Sequence, residues 1–208
     1  MRKQTAFEEK WNAITHAFGA VFGIIGLILL ILKDTSKTEW SFFSVVTYGI
    51  TFILLFLASA LYHYVDNEKY KHYFRIADHI NIYFLIAGTY SPITLITLEQ
   101  SLGWPLFYAV WSIALFGILL KLFFTGKFEF LSVLLYLVMG WLVILDYTAL
   151  NTVMETGGIW LLMAGGIAYT LGVVFYAIEK IPYNHVIWHI FVLAGAVFHF
   201  FMVYFYVV

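Results

Sequence analysis

The chain has 208 residues, 63% of them hydrophobic and only 11% charged, with a formal net charge of −1 and no cysteine. Its mean hydropathy is +0.90. A soluble domain is about one quarter charged because it must cover its core with polar surface, so this chain needs lipid as its main solvent. The near-neutral charge gives no basis for a nucleic-acid partner. The lack of cysteine excludes a disulfide framework, thiolate metal sites and cysteine nucleophiles.

A membrane helix needs about 20 mostly apolar residues. Seven stretches qualify, at approximately 12–32, 40–62, 77–98, 104–124, 128–147, 157–178 and 185–207. The basic N-terminus resembles the start of a signal peptide, but the apolar run behind it is long enough to be a span. The breaks KDTSKTE, DNEKYKHYFR, EQSLG, TGKFE, METG and EKIPYN are short and carry nearly all the charge. They leave no room for a soluble domain, so residues 1–208 read as a single seven-helix membrane domain. The runs are too long and continuous for a β-barrel, and an odd number of spans argues against a simple inverted-repeat transporter.

Basic residues orient the bundle. With the N-terminus inside, the cytoplasmic side holds Arg2, Lys3, Lys10, Lys69, Lys71, Arg75, Lys121, Lys127 and Lys180, against Lys33 and Lys37 outside. This bias predicts an all-α integral membrane protein of the cell membrane, with a cytoplasmic N-terminus and an external C-terminus.

Ionisable residues inside apolar helices are costly and are functional candidates. His63 closes the second span in LASALYHYV, Asp78 and His79 open the third in FRIADHINIYF, and His185 and His189 lie in the first turns of the seventh. All fall at the predicted cytoplasmic end. His185 and His189 are spaced i, i+4, so both point to one helical face, the spacing by which a helix offers two imidazoles to one metal. His63 could supply a third, and three histidines with an open water position suit a catalytic zinc site. Ser59 lies one turn before His63 on the same face, and Asp78 could take a proton from the activated water. Each histidine also has a bland reading as an interfacial or packing residue. His72 reads as solvated in a loop, and His16, four residues after Asn12, as either a pocket residue or an interfacial anchor. His199 stands about 15 Å along the axis from His189, which makes it a cavity or packing residue rather than a ligand. Asp146 reads as an interfacial carboxylate, and Thr89 as a residue lining the same cavity as Asp78. Trp11, Trp40, Trp104 and Trp160 fit the interfacial aromatic belt. Gly19, Gly23 and Gly26 in the first span, with Gly165, Gly166 and Gly172 in the sixth, predict close helix contacts.

The residues Ser59-Ala-Leu-Tyr-His63, Asp78 and His185-Val-Ile-Trp-His189, each on its proper span, resemble the motif of the progestin and adiponectin receptor family in its bacterial hemolysin III branch. The stretches NAITHAFGA, DHINIYFLIAGTYSP and HVIWHIFVLAGAVFHF extend the likeness over nearly the whole chain. The resemblance implies a seven-helix bundle with zinc held by His63, His185 and His189. It also implies Asp78 beside the water that zinc would activate and Ser59 behind the ligands. Through kinship with the alkaline ceramidases it implies hydrolysis of a lipid amide or ester, with a membrane lipid as substrate or ligand. A non-enzymatic sensor of membrane state with structural zinc is the alternative, and a pore-forming cytolysin a third reading. A retinal pump is excluded because the last span contains no lysine. No soluble partner is evident, and the sequence does not specify an oligomeric state.

Overall fold

The computed structural model describes residues 4–208, which leaves Arg2 and Lys3 outside the described residues. Among these residues there are no strands, and seven helical segments are long and apolar enough to cross a membrane. They are α1 (Ala6–Lys33), α2 (Ser41–Tyr64), α3 (Glu68–Pro92), α4 (Gly103–Phe124), the paired α5 (Glu129–Trp141) and α6 (Tyr147–Val153), α7 (Thr156–Ala177) and α8 (Asn184–Met202). Large apolar side chains such as Phe18, Leu32, Phe123 and Trp160 face outward. Much of the polar complement (Asn12, Ser44, Ser59, Thr94) is buried. That inversion suits a lipid solvent, since such an apolar exterior would be an association hazard in water.

The third helix departs from expectation. It begins at Glu68 rather than near 77, because Asn67 caps it, accepting from the Lys69 and Tyr70 amides at 3.1 and 3.3 Å. An asparagine oxygen at this position satisfies amides the helix leaves unpaired. The charged stretch EKYKHYFR is therefore helix, and His72 is exposed on it rather than in a loop. Asp78 stands about 15 Å along the axis from Glu68, well inside α3 rather than at its opening.

The spans that contain α3 and α5 both depart from regular α-helix, and beside the second a side chain satisfies freed backbone groups, as lipid requires. Pro92 has no N–H to give to the ladder, and a wider turn follows over Ile93–Thr97. Between α5 and α6 the chain tightens over Leu142–Asp146. There the Tyr90 hydroxyl accepts from the Val143 amide at 2.8 Å and donates to the Gly140 carbonyl at 3.3 Å. Asp146 is buried and accepts from Ser101 Oγ and the Leu102 amide, each at 2.9 Å. The interfacial carboxylate is thus also a bonded one, tying the α5–α6 break to the start of α4.

Close approach explains the glycines. A Cβ on Gly19 would meet the Phe56 ring at 2.4 Å, and one on Gly23 would meet Phe52 at 2.6 Å. Phe200 fills the corresponding place at Gly26. The first helix therefore lies flush against α2 and α8. At the end of the bundle away from His63, Lys33 donates to the Tyr204 carbonyl and Lys37 to the Val207 carbonyl. These are the cationic partners a helix C-terminus favours. Trp40 and Trp104 pack edge to face at 5.2 Å at the same end.

Candidate metal centre

Two helix ends bring the histidines together. The α2 helix stops at Tyr64, so His63 falls in its last turn. Tyr183, at φ 57°, turns the chain into α8. Asn184 then anchors that start by donating from Nδ2 to the Phe175 carbonyl of α7 at 3.2 Å. His185 and His189 follow on one face, with ring centroids 4.7 Å apart. The His63 ring lies 5.2 Å from that of His185 and 4.8 Å from that of His189. One nitrogen of each imidazole lies within 4.8 Å of the others, and all three residues are buried, so the group could hold a metal ion. Donors on one tetrahedral zinc stand about 3.3 Å apart, so small side-chain rotations would close the set. The three come from two spans, with Asp78 on a third.

Their surroundings also suit a metal. His63 Nε2 is buried without a hydrogen-bond partner. Its Nδ1 meets Glu9 Oε2 at 2.5 Å, and because an ionised carboxylate only accepts, Nδ1 carries the proton. In the neutral imidazole Nε2 then carries the lone pair. Glu9 Oε1 in turn accepts from Lys71 Nζ at 2.9 Å. His16 stacks on His189 with centroids 3.7 Å apart and planes 13° apart, and it packs edge to face with Phe56 at 4.9 Å. This settles His16 as a buried residue of the site rather than an interfacial anchor.

Ser59 and Asp78 line one cavity with His16, His79, His185 and His189. Above it, away from the end where Glu9 and Lys71 lie, is an almost wholly apolar chamber bordered by Thr89, Tyr90, Trp141, Gly166, Tyr169 and His199. Six side chains line both spaces: Leu55, Ile82, Tyr136, Val173, Trp188 and Val192. Thr89 thus lines the upper chamber rather than the cavity beside Asp78. His199 is not at the metal group. Its Nε2 lies 3.2 Å from the Leu162 carbonyl and its ring occupies the space left by Gly165, so it is both a packing and a chamber residue.

The sequence reading did not single out Glu9. A signal for it existed, because Thr5 and Glu8 form a capping box that starts α1 and places Glu9 in its first turn. Glu9, Asn12, His16, Gly19, Gly23 and Gly26 then recur at three- and four-residue intervals, the stripe by which a helix presents one face.

Comparison with known proteins agrees with this architecture. The family model described as Haemolysin-III related matches residues 4–200. The chain belongs to the hemolysin III family. It is 44% identical over 210 residues to Hemolysin-3 of Bacillus cereus, covering 100% of this chain and 96% of that protein. It is also 44% identical to the Hemolysin-3 homolog of Bacillus subtilis, covering 98% and 96%. The human Monocyte to macrophage differentiation factor is 32% identical over 97% of this chain and 85% of its own length. No solved structure matches. This hemolysin III family member is a multi-pass membrane protein, consistent with residence in the cell membrane.

Proposed function

We propose that this family member is a zinc-dependent intramembrane hydrolase acting on a lipid amide or ester. One observation carries the reading: an apolar chamber adjoins the cavity that holds His185, His189, Asp78 and Ser59. A metal used only as a structural tie would not need an apolar chamber beside it. Three imidazoles without thiolates suit zinc among the common metals.

The residues divide the work. His63, His185 and His189 would hold the ion, leaving one position open. Zinc would supply Lewis acidity, activating a water and polarising a carbonyl. Asp78, whose carboxyl borders the same cavity, would take the proton from the attacking water and return it to the leaving group. Ser59 would hydrogen-bond within the cavity and orient the water or the substrate carbonyl. Leu55, Ile82, Val173 and Val192 would pack the chain of the lipid and keep bulk water away. With the N-terminus cytoplasmic, the site lies in the inner leaflet, where a lipid can enter sideways.

The test combines metal analysis with turnover. Wild type should carry one zinc per chain and release product from some member of a broad panel of lipid amides and esters, and a chelator should abolish that release. Asp78→Ala should keep its zinc and lose about 100-fold or more in turnover. His189→Ala should lose the zinc. Zinc-loaded wild type that cleaves nothing on the panel would sink the hydrolase reading and favour the sensor. Unchanged zinc content in His63→Ala would remove His63 from the ligand set.

A further inference from the structure

The carboxylate of Glu9 occupies an unusual place. It sits in the first turn of α1, half-buried, and reaches residues 54 and 62 positions further along the chain. Each oxygen has its own partner. Oε1 accepts from Lys71 Nζ at 2.9 Å, and Oε2 lies 2.5 Å from His63 Nδ1. An anchor between α1 and α3 would need the lysine alone. The second oxygen is committed to a histidine of the metal group whose other nitrogen is buried and unpartnered. Metal-binding histidines commonly donate their remote N–H to a carboxylate, which fixes the tautomer and the ring orientation and raises the basicity of the ligand nitrogen.

We infer that Glu9 is a positioning residue for the metal centre: held by Lys71, it fixes His63 as the Nδ1–H tautomer and aims Nε2 at His185 and His189. The inference rests on the reading of those three histidines as metal ligands. It assigns the N-terminal helix a task at a site whose ligands come only from α2 and α8. The Lys71 ammonium leaves the carboxylate ionised and acceptor-only, and also lies over the Tyr62 ring, 5.4 Å from its centroid. The position of Glu9 is therefore set from α3 while it acts on α2.

The experiment uses the full-length protein in detergent, as wild type, Glu9→Gln, Glu9→Ala and Lys71→Met. Zinc affinity is measured by chelator competition, the visible absorption of the cobalt-substituted forms is recorded, and the metal-free forms are melted. Glu9→Ala should lose about 10- to 100-fold in zinc affinity and shift the cobalt bands. Glu9→Gln, whose amide oxygen still accepts from Nδ1, should fall between wild type and Glu9→Ala. Lys71→Met should show a smaller loss than Glu9→Ala. A cobalt spectrum unchanged in Glu9→Ala, with affinity equal to wild type, overturns the inference while leaving the metal site standing. Lower melting of the metal-free variants with an unchanged cobalt spectrum also overturns it, because that is the pattern of a packing role. If Glu9→Ala does not fold, Glu9→Gln decides: wild-type affinity and spectrum there refute the positioning role, and a reduced affinity with shifted bands supports it. Wild type without bound zinc defeats the metal reading itself.

Discussion

A buried polar side chain in this bundle is tolerable only with a partner or a task, and the partner separates structural residues from site residues. Asp146 has partners, Ser101 Oγ and the Leu102 amide. Its replacement by alanine removes both bonds, at a net cost of about 0.5–1.5 kcal/mol each. Asp146→Ala should therefore lower the melting temperature in detergent and leave zinc content unchanged. Loss of zinc in that variant would show that the α4 start influences the site. His16 is the opposite case, since its ring nitrogens have no hydrogen-bond partner and its face lies on His189. If it is a wall rather than a ligand, His16→Phe keeps the stacked ring and should keep one zinc per chain by metal analysis. A halved or absent zinc content would make His16 a ligand.

At the scale of the element, the glycine stripe of α1 and the isolated Gly140 of α5 make opposite predictions for one substitution. A methyl at Gly23 meets the Phe52 ring at 2.6 Å, and overpacking of this kind costs about 1–3 kcal/mol. A methyl at Gly140 meets nothing within 4 Å and gains up to about 1 kcal/mol in helix propensity. Gly23→Ala should melt lower than wild type and Gly140→Ala no lower, measured without metal. If the two variants melt alike, the close approach of α1 and α2 is not what the glycines serve.

Element boundaries also show how much of the molecule was legible in the sequence. The seven spans were readable because an unbroken apolar run of about twenty residues matches the thickness of a bilayer core and little else. The start of α3 was not, because charged EKYKHYFR resembles a loop by hydropathy, and what decides the matter is one capping oxygen on Asn67. The histidine cluster was readable because the i, i+4 pair and its depth are properties of single helices. Glu9 was missed because its role depends on α1 packing against α2, a tertiary fact. The Asn12, His16 and glycine part of its stripe was in view, but the carboxylate one turn before it looked like an ordinary acidic first turn. The two spaces beside the site were out of reach for the same reason, since their walls are assembled from helices far apart in sequence.

At the scale of the whole molecule, the histidine end and the Lys33–Lys37 end are chemically distinct, and the choice of which faces the cytoplasm is a question of charge. The histidine end gathers Lys71, Arg75, Lys121 and Lys127, whereas the other offers two lysines that already cap the final carbonyls. Lys121 is buried against Glu129 at 2.9 Å, so it contributes little free charge, yet the remaining excess still favours a cytoplasmic histidine end. The absence of cysteine makes the orientation directly testable. Thr35→Cys and Lys127→Cys each introduce one exposed thiol, at opposite ends of the bundle. On intact cells a membrane-impermeant maleimide should label Thr35→Cys and spare Lys127→Cys, and permeabilisation should expose both. The reverse pattern would invert the bundle and place the candidate metal centre in the outer leaflet. Any lipid reaching it would then come from the opposite face of the membrane, and the substrate search would have to begin there.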